Sequence, residues 1–220
     1  MGRLVFGVGT VDVDYPVKPK LELPRVGGKR KQLVLSVCPY YSMWYEMLRR
    51  SFSENYKKRN LSYAQVTCCD AWKSLKSFKD WVCNNYPNIY DVQGTRMELD
   101  KDLIGDSTLY SPNTCLLLPN KVNRFIISSN YNGELPIGVS ITSRGKSEGL
   151  SSYVCRVRHP ISGKEVSTSF DNPASARKYW LKCKLSICED LCTYYELPDS
   201  IKAKVVAKVV QRGDISYDFQ

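Results

Sequence analysis

The alternation in Tyr153-Val-Cys-Arg-Val-Arg158 narrows the fold more than any other stretch of this chain. Side chains two residues apart on a strand share a face. Tyr153, Cys155 and Val157 therefore lie on one side, and Val154, Arg156 and Arg158 on the other. Gly138-Val-Ser140 and Val166-Ser-Thr-Ser-Phe170 supply flanking strands, and a helix opens at Asn172-Pro-Ala-Ser-Ala176. The expected unit is a three-stranded antiparallel sheet backed by one helix. That helix must cover one face, which leaves the arginine face open. A ribbon of this kind fits a DNA major groove, where arginine pairs with guanine edges or phosphates. Tyr153, Arg156 and Arg158 are the candidate contacts on the strand, with Arg144, Lys146 and Lys164 at the turns in reach of phosphates.

A second pattern precedes it. Leu99-Asp-Lys-Asp-Leu-Ile104, Tyr110-Ser-Pro-Asn-Thr-Cys-Leu-Leu-Leu-Pro119 and Asn120-Lys-Val-Asn123 read as strand, turn, strand, helix. On an ideal strand Asp100 and Asp102 face one way and Lys101 the other. Asn123, on the helix, is expected to lie across from the two acids. Asn113 is expected to pin the loop through side-chain to backbone bonds. Carboxylate and amide oxygens are ligands for a hard cation such as Mg²⁺ or Mn²⁺, and a cation held over a phosphodiester can support its hydrolysis. The plain alternative is that Asp100 and Asp102 are solvated strand-edge acids or partners of Arg96.

Composition bounds the partners. Lys and Arg number 32 against 22 acids in 220 residues, a net charge of +10, as expected for a protein that meets nucleic acid. Hydrophobic residues at 43% allow a real core for one large or two small domains. No apolar run approaches the roughly 20 residues of a membrane helix, and Met1-Gly-Arg-Leu-Val-Phe-Gly-Val-Gly9 lacks a signal-peptide core, so the expected location is cytoplasmic, without a membrane partner. The nine cysteines include no Cys-x-x-Cys pair and accompany a single histidine, His159. Reduced, mostly buried thiols are therefore expected and no zinc site, with His159 a surface turn residue.

Four segments follow. Residues 1–37 read as an irregular arm with a basic cluster at Lys29-Arg30-Lys31, either solvated or lying along phosphates. Residues 38–127 carry two helices ahead of the acidic hairpin. One starts at Cys38-Pro39 with Trp44, Met47, Leu48 and Phe52 on its apolar side and Arg49 and Arg50 turned elsewhere. The other is capped by Asp70 and carries Trp72, Leu75, Phe78 and Trp81-Val82. A polar linker at 128–136 leads to the sheet unit, 137–197. Residues 198–220 form an amphipathic helix and tail, with Ile201, Val205, Val206, Val209 and Val210 on its apolar face. This face docks on the core or binds another helix.

Residues 38–126 resemble the HNH endonuclease family, in particular its phage homing-endonuclease-like group. The resemblance lies in the Trp44 and Trp72 helices, the Leu99-Asp-Lys-Asp-Leu strand and the Tyr-Ser-Pro-Asn-Thr-Cys turn. It implies a ββα-metal hairpin in which Asp100 is the metal-binding acid, Asn113 the structural asparagine and Asn123 the final metal ligand. Lys101 fills the position of the general-base histidine, and a protonated lysine clamps a phosphate rather than taking a proton from water. Asp102 then serves as substitute base or second metal ligand. The sheet unit resembles the apetala-two/ethylene-response-factor DNA-binding domain at Gly138-Val139, the arginine-bearing strand, Gly163-Lys164, Phe170-Asp171 and the Pro173-Ala-Ser-Ala176 helix start. It departs from that pattern in lacking the usual glycine before Phe170 and in its long Gly145–Ser152 loop.

The expected architecture is α+β. An HNH-like hairpin with packed helices is followed by a three-stranded antiparallel sheet backed by one helix. The expected partner is double-stranded DNA, with no small-molecule substrate, and the expected activity is metal-dependent nicking or cleavage. The rival reading is a catalytically silent DNA-binding or host-protein-binding relative on the same fold, located in the host cytoplasm if phage-encoded.

Overall fold

The computed structural model describes residues 4–26, 29–105, 107–126, 135–142 and 152–213. The fold is mixed α and β, as expected, and divides into two units. The first comprises Met1–Asp91 with Arg96–Leu118, the second Val92–Thr95 with Pro119–Gln220.

In the first unit, β1 (Lys20–Val26) and β2 (Lys29–Val34) form an antiparallel hairpin. Helices α1 (Pro39–Phe52) and α2 (Glu54–Arg59) follow, then β3 (Thr67–Cys68), a 3₁₀ turn at Asp70–Lys73, and α3 (Leu75–Asn85). Three short strands close the unit: β4 (Glu98–Asp100), β5 (Leu109–Tyr110) and β6 (Leu116–Leu118). β4 pairs antiparallel with β6, Asp100 opposite Leu116, and β5 pairs parallel with β3. The core gathers on Trp44, Leu48, Trp72, Leu75, Phe78 and Val82, all almost wholly buried. Inside it the Trp44 indole donates to the Trp72 carbonyl at 2.7 Å, so the ring's one polar group is satisfied without water.

Residues 1–37 are not the irregular arm that their prolines and glycines suggested. The turn at Val5–Gly9 places Gly9 against Trp44 and Leu48, where a Cβ would stand 2.3 Å from the Leu48 side chain. Asp12 accepts from the Ser74 hydroxyl at 2.6 Å and from the Lys76 amide at 2.9 Å, at the start of α3. The cap of α3 is Ser74, which accepts from the Ser77 amide at 3.0 Å. Asp70 instead opens the 3₁₀ turn and pairs with Lys73. The polar stretch Tyr56–Arg59 lies in α2 behind a Ser53 cap.

The second unit contains α4 (Asn120–Ile126), β7 (Val139–Thr142), β8 (Ser152–Arg158), β9 (Glu165–Phe170), α5 (Pro173–Tyr194) and α6 (Asp199–Gly213). The sheet order is β7-β8-β9, antiparallel throughout, and α5 packs on it as the alternation required. Asn172 caps α5 by accepting from the Ser175 amide at 2.8 Å, with proline in the first turn where no N–H is needed. α6 docks on α5 through Val205 and Val209, which settles the open choice for its apolar face. α4 groups with this unit and not with the hairpin before it. It packs on α5 and α6, and the Lys184 ammonium donates to the Phe125 carbonyl at 2.9 Å. The polar segment expected as a linker, 128–136, lies mostly outside the described residues.

Gly138 lies at φ +81°, and a Cβ there would meet the Trp180 indole at 2.0 Å. Gly138→Ala is expected to destabilise the protein by about 2–4 kcal/mol, combining left-handed backbone strain with overpacking. Gly94, at φ +70° with open space around it, isolates the backbone part, and Gly94→Ala is expected to cost only about 1–2 kcal/mol. Urea midpoints of the two variants measure the difference.

Candidate functional site

β4 ends at Asp100, two residues short of a strand that would carry both acids on one face. The reason is local. Asp100 Oδ1 accepts from the Asp102 amide at 3.1 Å and the Leu103 amide at 2.8 Å, a side-chain turn that competes with the ladder. Asp100 is therefore buried, not a solvated edge acid. Burial pushes its carboxyl above the ordinary carboxylate range. The amide bonds oppose that rise, and neighbouring Asp102 adds to it.

Lys101 does not face away from the acids. It is buried, and its ammonium folds back to Asp102 Oδ1 at 2.7 Å, 5.4 Å from the Tyr63 ring centre and 5.8 Å from that of Tyr110. Lys101 and Asp102 thus form an ion pair beside the Tyr63 and Tyr110 rings, and Asp102 remains partly exposed. Two carboxylates two residues apart can offer oxygens to a hard cation, which commonly keeps several waters beside one or two protein acids. Among the described residues, no three His, Cys, Asp or Glu side chains gather as a metal-binding group. Asn123 is buried on α4, in the second unit, where its backbone N–H donates to the Pro119 carbonyl at 3.0 Å.

The turn from Ser111 to Thr114 is fastened by Thr114, not by Asn113. The Thr114 hydroxyl donates to the Leu109 carbonyl at 2.7 Å, accepts from the Ser111 amide at 3.0 Å and lies 2.9 Å from the Ser111 hydroxyl. Asn113 is exposed at the tip. Gly105 touches the same turn so closely that a Cβ would stand 2.6 Å from the Thr114 Cα. A threonine at this place is a visible turn signal, but an asparagine beside it is a stronger one by propensity, which is why the sequence pointed to the wrong neighbour.

In the second unit the register sets the two faces of the sheet. Val139, Cys155, Thr168, Val157 and Val166 share the side under α5, and Ser140, Val154, Arg156, Ser167 and Arg158 share the other, where Val154 is buried and the two arginines are exposed. Arg156 is exposed opposite the exposed Ser167 of β9, while the exposed Ser140 of β7 stands opposite Val154, one step along the same face. Arg158 is also exposed, but its Nε donates to the Gly163 carbonyl at 3.2 Å and so braces the β8–β9 turn, opposite Glu165. Lys164 is exposed in that turn. Tyr153 belongs to the helix-covered side, opposite Phe170 and Ile141, and is removed from the open face. Arg144 and Lys146 lie outside the described residues.

His159 closes the same turn. Its Nδ1 accepts from the Ile161 and Ser162 amides at 3.1 and 3.2 Å, which places the proton of the neutral ring on Nε2, 3.8 Å from Asp190 Oδ2 on α5. The nine cysteines form no disulfide. Burial pushes the Cys68 and Cys115 thiols up to about 12, far from reactive thiolates.

One feature of the first unit had no signal in the local pattern. Arg50, on α1, turns inward, and its guanidinium meets the buried Tyr110 hydroxyl and lies 5.9 Å from the Tyr63 ring centre. The spacing of apolar residues along α1 had placed it on the outer side. Only the return of β5 beneath the helix gives it a partner.

Thr114→Val keeps the shape of the turn-fastening side chain and removes its hydrogen bonds. The expected loss is about 1–3 kcal/mol of stability, whereas Asn113→Ala is expected to stay within about 0.5 kcal/mol of wild type by thermal or urea unfolding. Searches with the chain find no matching family model, curated protein or solved structure.

Proposed function

We propose that this protein binds double-stranded DNA through the open face of the β7-β8-β9 sheet. The observation that carries the reading is Arg156, exposed on the central strand opposite the exposed Ser167, on the sheet face away from α5. Small polar neighbours let a guanidinium reach a groove floor, and a bidentate pair with guanine is the commonest specific contact arginine makes. Lys164 and the outer part of Arg158 flank it at the turn, suited to phosphate, and the net charge of +10 favours a polyanion. The resemblance to the apetala-two/ethylene-response-factor domain points the same way.

Duplex binding is expected to weaken steeply with salt, as several released counterions require. Arg156→Ala is expected to cost about 1–3 kcal/mol and to flatten sequence preference, read by fluorescence anisotropy across a panel of duplexes. No binding at low salt removes this reading and leaves a protein partner in its place. An equal loss on every duplex assigns Arg156 to phosphate.

A second reading, metal-dependent strand scission in the manner of the HNH family, is favoured by the burial of Asp100 beside Asp102. Buried carboxyls with displaced titration are common at reactive centres. Asp100 and Asp102 would hold Mg²⁺ or Mn²⁺, which supplies a polarised phosphate and an activated water. Lys101, neutralised by Asp102 at 2.7 Å, is poorly placed to act as general base, and this weighs toward the silent relative. If the protein cuts, nicking of supercoiled DNA with either metal is expected to vanish in Asp100→Ala while anisotropy stays unchanged. Undiminished cutting in that variant moves the chemistry elsewhere.

A further inference from the structure

We propose that a cleft between α1 and β4 binds a small phosphate, either inorganic phosphate or a terminal monoester. The cleft is about 100 Å³ and is lined by Met47, Arg50, Arg96, Glu98, Leu99 and Tyr110, among others, all within the first unit. Its central feature is a largely buried cation without a counter-charge. The Arg50 Nε is shut off from solvent and makes no hydrogen bond, and among the described residues no carboxylate stands within ion-pair distance of its guanidinium. The groups around it are tyrosines: Tyr110, Tyr63 and Tyr56.

The obvious helical partner is already taken. Glu46, one turn before Arg50 on α1, accepts both Nε and Nη2 of Arg49, at 3.0 and 2.6 Å. Glu98 on the opposite wall is itself engaged. Arg96 lines the same cleft and donates to the Pro39 carbonyl over a long 3.4 Å. With Glu46 paired to Arg49, two guanidinium groups remain in the cleft against Glu98, so it carries an excess of positive charge. A buried charge left without a partner costs several kcal/mol, so a fold that keeps one is suited to an anion that completes it.

Geometry and size select the class of anion. Arg50, Arg96 and Tyr110 line the one cleft, and two planar forks beside a phenol hydroxyl match the several oxygens of a phosphate better than a carboxylate, which a single fork satisfies. The space is several times what one water needs, and well below the roughly 300 Å³ at which sites for drug-sized ligands begin. A phosphate group enters, and a nucleoside does not. This site is separate from the sheet face of the second unit and stands or falls without it.

Arginine side-chain NMR of the full chain tests the proposal, with inorganic phosphate, methyl phosphate and acetate titrated at matched ionic strength. Saturable shifts of the Arg50 and Arg96 Nε–H signals with inorganic phosphate are expected. Arg96→Gln is expected to weaken that binding about tenfold or more, since it removes a charged donor. Arg96 is half-buried and its side-chain bond to the Pro39 carbonyl is a long one, so this variant keeps the test valid even where Arg50→Gln fails to fold. Equal binding of methyl phosphate assigns the site to a monoester terminus, and binding of inorganic phosphate alone assigns it to the free ion. Shifts that grow linearly without saturating, acetate binding as tight as phosphate, or unchanged affinity in Arg96→Gln would each overturn the proposal.

Discussion

The hydrogen bond from the Trp44 indole to the Trp72 carbonyl holds the first unit together at its centre. It joins α1 to the 3₁₀ turn before α3 across 28 residues of sequence, inside a core where an unpaired N–H would cost about 1–3 kcal/mol. Everything else in the unit is arranged around that junction. Gly9 packs against the outer edge of the same indole, so the N-terminal segment is part of the core rather than a tail. Trp72 passes the contact on to Phe78 and Trp81, and Trp81 to Tyr86, whose hydroxyl accepts from the Leu117 amide at 2.9 Å. A continuous run of packed rings therefore links α1 to β6, the partner strand of β4. The acid-bearing turn sits at the end of that run, on a rigid support.

What the sequence made legible was pattern with a short period. The alternation through Arg158 correctly gave the two faces of the sheet, although Val154 on the arginine face is buried, and the Asn172-Pro173 start of α5 was visible in residue types alone. The helical spacing of Trp44, Met47 and Leu48 did the same for α1. What was not legible depended on partners distant in sequence. The parallel pairing of β3 with β5 joins two dipeptides about forty residues apart, too short to show any period. The inward turn of Arg50 needs Tyr110 on one of those dipeptides. Asp12 and Gly9 carry the marks of loop residues, and only Ser74 and Trp44 reveal them as fixtures of the core.

The candidate site shows the same division at finer scale. A strand of alternating acids was a fair reading of Leu99-Asp-Lys-Asp-Leu, but aspartate can also take its own downstream amides, and here it does. That choice shortens β4, buries Asp100 and swings Lys101 back onto Asp102. Local chemistry overrode the period because three residues of ladder offer little to outweigh two side-chain to backbone bonds. The same competition recurs at Ser111–Thr114, where the hydroxyl that fastens the turn is next to the asparagine that propensity would choose.

The first unit thus buries two cations close to the same pair of tyrosines and treats them differently. Lys101 is neutralised by a carboxylate from its own turn, and its ammonium is held with no need of anything from outside. Arg50 is held by Tyr110 and Tyr63, which offer oxygen and ring faces but no negative charge at neutral pH, since burial raises both phenols above their usual range. Aromatic faces soften the desolvation of a guanidinium by only a few kcal/mol, less than a full counter-ion does in a low-dielectric site. A lysine in that place could lose its proton and avoid the deficit, whereas arginine keeps its charge at any pH the protein meets. The residue type therefore carries the argument: a permanent cation, half enclosed and short of an acid, is stable company only for an anion that arrives from solution.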